Sequence, residues 1–286
     1  MTAVIARALA TLGLGVLAAC GGDDAAEGTV ALPPGMSQPP TEPAPGPPPA
    51  VPFAPTTPVY AAREVRSWPH DRQAFTQGLL VHDGTLFEST GLEGKSSVRQ
   101  VRLETGEVLR RTDTPAQYFG EGIGIVGDRL YQLTWKDERG FVYDARTLAV
   151  VDSFTYRGEG WSLTTDDSLL YMSDGSSRIR VVDPNGFREL RTIAVTEAGR
   201  PVYYLNELEW VGDEIWANVW MTHLVARIDP ATGNVVGWVD LTGLLTPQEA
   251  ASVDVTNGIA WDEANDRVLV TGKYWPKIVE IGLTRR

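Results

Sequence analysis

Gln117-Tyr118-Phe119-Gly120-Glu121-Gly122 sets one carboxylate between two glycines, directly after two aromatic residues. Glycine at 120 and 122 permits backbone shapes closed to other residues and leaves room beside the acid. Phe119 and Tyr118 are placed to screen Glu121 from water, and that raises a carboxyl pKa towards general acid–base range. On local sequence alone a Gly-Glu-Gly turn is more often a solvated turn than a catalytic site. No Ser-His-Asp or Cys-His arrangement stands beside it to supply a protein nucleophile. His70, His82 and His223 lack ligand spacing, so no histidine metal site is expected.

The elements that must position this acid are short strands. One template recurs: a Gly or acid, an apolar run, a Gly/Asp turn, and a second apolar run ending in small or polar residues. It runs over Gly78–Ser89, Gly122–Gln132, Ser162–Ser173, Glu207–Asn218 and Gly258–Thr271. A second hairpin follows most copies, as in Val101–Val108 and Ala226–Val235, where Thr-Gly and Asp-Pro supply the turns. Two hairpins per copy make a four-stranded unit of roughly 45 residues, the size of a propeller blade. The expected fold is all-β, a five-bladed β-propeller, with Tyr60–Trp68 adding a strand to the last blade. One short helix is expected within Leu244–Ser252, capped by Thr246 with Pro247 at its first position. Matching places in the copies hold Phe75 and Gln77, Phe119 and Glu121, Gly160 and Trp161, Leu205 and Asn206, and Val255 and Asn257. In a propeller these converge on a mouth that suits a small, partly apolar ligand.

The chain outside this domain carries a different message. Residues 1–19 hold one charge, Arg7, and an apolar run from Ala8 to Ala19 that is short for a membrane span. Leu17-Ala18-Ala19-Cys20 is similar to a bacterial lipobox, and Cys20 is the only cysteine of the chain. The expectation is a lipoprotein signal peptide over 1–19, lipidation at Cys20, and a domain exported to the bacterial cell envelope on a lipid anchor. Twelve of the nineteen prolines lie between Pro33 and Pro58, so 20–58 reads as an extended Pro-rich tether and 59–286 as the folded domain. A net charge of −12 without a basic cluster argues against nucleic acid as a partner.

A series of motifs, in order, resembles the glutamine cyclotransferases of plants and bacteria, the papaya-latex type. They are Phe75-Thr76-Gln77-Gly78-Leu79, Leu86–Gly91, Tyr118–Gly122, Gly160-Trp161, Ser173-Asp174-Gly175, Leu205–Glu209, Trp216–Trp220, Asn257–Trp261 and Thr271–Pro276. The resemblance extends from about Pro69 to the end of the chain. It implies a five-bladed propeller that converts the N-terminal glutamine of peptides or proteins to pyroglutamate and releases ammonia. It also implies that Glu121 is the catalytic acid/base, and that Lys273 and Asn206 are polar active-site groups. By the same resemblance Phe75, Gln77, Phe119, Trp161 and Trp220 line the pocket, and neither a cofactor nor a catalytic zinc is used. Ser162 stands where a glycine is common in the family. The chemistry fits: the substrate's own amine, with a pKa of roughly 8, attacks its side-chain amide, so the enzyme mainly holds a reactive conformer. Lys273 and the Gln77 or Asn206 amides are candidate donors to the developing oxyanion.

Other readings remain at this level. A metal-dependent lactonase would recruit Asn206, Asn257, Glu121 and Glu207 around a divalent ion. A lipid-tethered propeller without catalysis would bind peptides or envelope components. A structural cation held by carbonyls in the propeller channel is also open. Glu88, Glu207 and Glu209 read as structural acids that brace loops, and a monomer is expected.

Overall fold

The computed structural model describes residues 55–286. The expected signal peptide, Cys20 and most of the expected tether lie outside the described residues.

Short alternating runs between Gly, Asp and Pro turns make strands throughout. After β1 (Val59–Pro69), four strands form one antiparallel sheet in chain order: β2 (Thr76–His82), β3 (Thr85–Thr90), β4 (Ser97–Arg102) and β5 (Glu107–Asp113). The pattern repeats in β6 (Gly120–Val126), β7 (Arg129–Thr134), β8 (Arg139–Asp144) and β9 (Val150–Thr155). It repeats again in β10 (Ser162–Thr165), β11 (Leu170–Ser173), β12 (Arg178–Asp183) and β13 (Arg188–Ala194). A small hairpin that the repeat does not anticipate, β14 (Thr196–Glu197) with β15 (Arg200–Pro201), then precedes β16 (Leu205–Val211), β17 (Glu214–Val219), β18 (Leu224–Ile228) and β19 (Val235–Asp240). Helix α1 (Pro247–Ala250) leads into β20 (Thr256–Asp262), β21 (Arg267–Gly272) and β22 (Lys277–Arg285). These last strands and β1 belong to one eight-stranded sheet, ordered β16-β17-β18-β19-β1-β22-β21-β20.

The turns follow from local chemistry. Asp83 and Gly84 both take positive φ, 48° and 71°, which matches the twist of a two-residue hairpin between β2 and β3. Thr246 caps α1, and the Glu249 side chain returns the bond to the Thr246 backbone, with Pro247 in the first turn. The helix is shorter than the stretch expected to contain it. β1 pairs antiparallel with β22 from Tyr60↔Arg285 to Pro69↔Lys277, as the sequence leads one to expect.

The first strands pack side by side in a closed cycle, β2–β6–β10–β16–β20 and back to β2. Each interface of the cycle buries its own apolar cluster. Leu80, Phe87, Ile123 and Phe141 fill one, and Leu79, Leu86, Ala260 and Leu269 fill the one that closes the ring. At the axis the first strands present edges that the sheets cannot pair, and buried N–H groups must find other acceptors. Two acids of β16 supply them. Glu207 accepts from Leu79 N at 3.2 Å and Ile259 N at 2.9 Å, and Glu209 accepts from Trp261 N at 2.7 Å. These acids therefore brace strands across the axis rather than loops. Burial holds Glu207 well above the usual carboxylate range, and the neighbouring Glu209 adds to the effect. Burial likewise pushes Glu209 up to about 8 against its backbone hydrogen bonds. Glu88 behaves oppositely. Burial opposes its ionisation, but His70 at 2.9 Å and Arg99 at 3.7 Å outweigh it and hold the carboxyl low.

Two outcomes follow. A carboxyl whose folded pKa of about 8 exceeds its ordinary 4.5 contributes stability that is complete below the unfolded value and lost as pH rises through the folded one. Glu209→Gln removes that loss, so its melting temperature relative to wild type should climb between about pH 5 and about pH 9. A flat difference across that window would contradict the assignment. At the β6–β10 contact, a Cβ on Gly122 would lie 2.4 Å from Ser162 Cα. Gly122→Ala is therefore expected to lower unfolding free energy by about 1–3 kcal/mol in a urea titration.

Candidate active site

Four of the first strands share one irregularity near their starts. The register slips between Thr76 and Gly78 in β2, Gly120 and Ile123 in β6, Leu205 and Leu208 in β16, and Thr256 and Ile259 in β20. A bulge takes a residue out of the ladder and re-aims its side chain. Gln77, Glu121, Asn206 and Asn257 lie within these bulges, and all four are buried. The bulges are pinned from the adjacent sheets. Ser89 Oγ donates to the Glu121 carbonyl at 2.5 Å, and Ser173 Oγ, at the same place in another copy, donates to the Asn206 carbonyl at 2.7 Å. Gly120 N donates to Ser96 Oγ at 2.9 Å, and Gly122 N to the Trp161 carbonyl at 3.1 Å.

This corrects the reading of the two glycines. Neither takes a positive φ, and the segment opens a strand rather than forming a turn. The glycines are needed for space alone: a Cβ on Gly120 would meet Gln132 Nε2 at 2.7 Å, and Gly122 lies against Ser162. Tyr118 is also reassigned. Its ring packs edge-on against Phe141 at 5.4 Å, in the apolar cluster between sheets, so Phe119 alone of the pair faces the site.

Lys273 reaches the site from the turn after β21. Its N–H bonds the Val255 carbonyl at 3.0 Å, and Tyr274 N bonds the Ala74 carbonyl at 2.8 Å with φ at 64°. Tyr204 and Met221, flanking the Trp220 wall, hold φ of 66° and 64°. Bulky residues rarely adopt this region, and such strain gathers at functional sites. Lys273 Nζ sits 4.4 Å from the centroid of the Phe75 ring.

Aromatic rings continue around these groups. Phe75 meets Phe119 edge-on at 5.9 Å and Tyr274 at 5.4 Å, and Phe119 meets Trp135 at 5.7 Å. Trp161 meets Trp220 edge-on at 5.7 Å, and Trp220 meets Tyr204 at 6.1 Å. Trp135 was not singled out from sequence, although a signal exists: it stands one residue past β7, as Trp220 stands one residue past β17. Tyr274 was passed over in the same way, and Glu159 gave no sequence signal.

The electrostatics set Glu121 apart. Burial raises its pKa well above the ordinary carboxylate range; Lys273 opposes this, Glu159 adds to it, and a hydrogen bond from the Gln77 amide opposes it. Asn257 Nδ2 donates to Gln77 Oε1 at 3.0 Å and to the Thr76 carbonyl at 3.0 Å. With its oxygen engaged there, Gln77 turns its NH2 group towards Glu121. Burial lowers the Lys273 pKa against the attraction of Glu121 and Asp254. The result is a buried carboxyl of raised pKa beside a cation and an amide donor, with aromatic rings around them, an arrangement that could give and take a proton. The opposite end of the same strands holds a separate cavity of about 550 Å³, lined by Val81, Ile125, Thr164, Trp210 and Trp261, and it includes none of these groups.

A family model described as glutamine cyclotransferase matches residues 42–283. The glutaminyl-peptide cyclotransferase of Arabidopsis thaliana is 47% identical over 226 residues, covering 77% of this chain and 70% of its own. The crystal structure of Myxococcus xanthus glutaminyl cyclase matches with a TM-score of 0.75 at 37% identity, over 80% of this chain and 99% of that one. Matched along most of its length by that family model, the chain belongs to the glutamine cyclotransferase family.

Proposed function

We propose that this enzyme cyclises the N-terminal glutamine of peptides and proteins to pyroglutamate with release of ammonia, and that Glu121 carries both proton transfers. The observation behind the second statement is the single buried carboxyl at the β6 bulge, raised in pKa and faced by Lys273 and the Gln77 amide. The glutamine side chain enters between Phe75, Phe119, Trp161 and Trp220, which bury its methylenes and bring amine and amide together. The neutral amine attacks the side-chain carbonyl carbon, a C–N bond forms, and the carbonyl electrons move onto oxygen. Lys273 and the Asn206 amide donate to that oxygen. Glu121 takes the proton released by the attacking nitrogen and gives it to the departing one, so the amide C–N bond breaks and ammonia leaves. Water exclusion by the aromatic wall keeps the proton on this route.

The reaction is proposed to run without a metal. What supports this is the donor set: among the described residues no three His, Cys, Asp or Glu side chains converge to hold an ion. Both ring nitrogens of His70 are engaged, by the Trp275 carbonyl and by Glu88.

The architecture is proposed to be a five-bladed propeller. The closed cycle of five first strands supports this, as does the division of the eight-stranded sheet at β1/β19 into two sets of four. Export and lipid anchoring at Cys20 complete the proposal. They are supported by the apolar leader and the lipobox-like residues, and Cys20→Ser should release the protein from membranes.

The test is ammonia release from a Gln-initiated peptide, with a matching mass loss, in the presence of a chelator. Glu121→Gln is expected to lower kcat/KM by about 10²–10⁴ while leaving the melting temperature within a few degrees. Lys273→Met is expected to lower kcat by about 10²–10³. Because Glu121 must be ionised to accept the first proton and burial raises its pKa, kcat/KM should carry an acid limb above the ordinary glutamate range in addition to the one from the substrate amine, and Glu121→Gln should lose the first and keep the second. Full activity in that variant would remove Glu121 from the mechanism. A folded wild-type chain that releases no ammonia would favour a peptide-binding propeller.

A further inference from the structure

We propose that Glu159 is a positioning residue of the active site: one carboxylate oxygen clamps the Trp135 and Trp161 indoles together, and its negative charge acts on Glu121. The inference rests on the cyclisation reading above and assigns the site a group that the motif series does not contain.

Glu159 lies in the connection between β9 and β10. Its Oε2 accepts from Trp135 Nε1 at 2.8 Å and from Trp161 Nε1 at 2.9 Å. An indole N–H can only donate, so the atom that joins two of them must be an acceptor, and an ionised one makes the stronger bonds. The two indoles belong to different sheets. Trp135 follows β7 and leans on Phe119, while Trp161 precedes β10 and meets Trp220. The Glu159 clamp therefore connects two sections of the aromatic wall that otherwise end at the gap between sheets.

The backbone of this connection is held independently of the Glu159 side chain. Gly160 N donates to the Trp135 carbonyl at 3.0 Å, Gly158 N donates to Glu138 Oε1 at 2.7 Å, and Arg180 Nη2 donates to the Glu159 carbonyl at 3.4 Å. Loss of the carboxylate thus leaves the loop its own anchors. The second oxygen lies 3.9 Å from Lys136 Nζ, whose ammonium covers the Trp135 ring at 3.7 Å. Lys136 is largely exposed, so that pair contributes little by itself.

The charged and titratable groups that act on Glu121 are Lys273 from the turn after β21, Glu159 from the β9–β10 connection, and Tyr156 just after β9. Burial keeps the Tyr156 phenol neutral, and it is tied to the Thr134 backbone. Glu159 is thus the like charge that makes proton release from Glu121 harder, and Lys273 is the opposite charge that makes it easier. Through this placement Glu159 acts on wall geometry and on proton affinity together.

Two substitutions separate these effects in the full-length protein. Glu159→Gln keeps an acceptor oxygen for the indoles and removes the charge. The Glu121 component of its acid limb in kcat/KM against pH, read on a Gln-initiated peptide beside the unchanged limb of the substrate amine, is expected to move to lower pH. Glu159→Ala removes both, and its KM is expected to rise roughly tenfold or more, since hydrogen bonds to a charged group are lost. The clamp is also read without turnover, from the indole N–H signals of Trp135 and Trp161 in a ¹⁵N spectrum. Protection from solvent exchange should persist in Glu159→Gln and be lost in Glu159→Ala. Superimposable pH profiles for wild type and Glu159→Gln, or equal indole protection in all three proteins, would overturn the proposal. A wild-type chain that releases no ammonia yet shows the indole protection pattern would count against the cyclisation reading and leave the clamp standing.

Discussion

Everything in this molecule depends on five strand edges that meet at one axis and cannot pair with one another. Hydrogen bonds run across each sheet from its first strand outwards, so the inner edge of every first strand faces the axis with its N–H and C=O groups still to satisfy. Splayed strands cannot complete a ladder there. The chain answers with side chains. Glu207 and Glu209 project from one first strand and accept from the backbones of two others. Nearer the mouth the answer is a bulge in the strand, pinned by a serine from the neighbouring sheet. In four of the five first strands the bulge also lifts a side chain out of the ladder, and those side chains, Gln77, Glu121, Asn206 and Asn257, are polar and buried.

The same constraint gives buried acids different characters. Glu88 sits between His70 and Arg99 and is held ionised, as a structural ion pair. Glu207 and Glu209 lie along the axis with only backbone and hydroxyl donors, and burial raises both. Glu121 is raised by burial too, but of these acids it alone has a lysine and an amide beside it, with aromatic rings around them. A perturbed carboxyl is thus not by itself a sign of chemistry. Neighbours rather than burial separate Glu121 from Glu207, although both are strongly shifted.

Much of this was legible from residues. The two-strand template located every first and second strand, because Gly/Asp turns and alternating apolar residues are local signals. Thr246 with Glu249 marked the start of α1 for the same reason. Some residues at matching places in the copies meet, Phe75 with Phe119 and Gln77 with both Asn257 and Glu121, since equal spacing in repeats becomes equal position in space, whereas Leu205 lies in an apolar cluster between sheets. The β14–β15 hairpin was missed because it is too short to carry a period. Trp135 stands in no motif of the series and Tyr274 stands in one without a role of its own, so the ring contacts of both with Phe119 and Phe75 are visible only once the sheets pack.

The residue types and their spacing, by themselves, determined the strands, the turns and which acid stands between two glycines. Hydrogen bonding and φ preferences act over a few residues, so a linear reading contains them. Only the tertiary structure decided what those glycines are for, where Tyr118 points and what Glu159 holds. Gly122 is small because Ser162 of another sheet presses on it, and Tyr118 turns away because Phe141 offers it a buried face. Glu159 joins tryptophans from two sheets across a gap that exists only once the sheets are packed. Burial and charge contact depend on which segments approach one another, and that is set by the closure of the ring rather than by any neighbour in the chain.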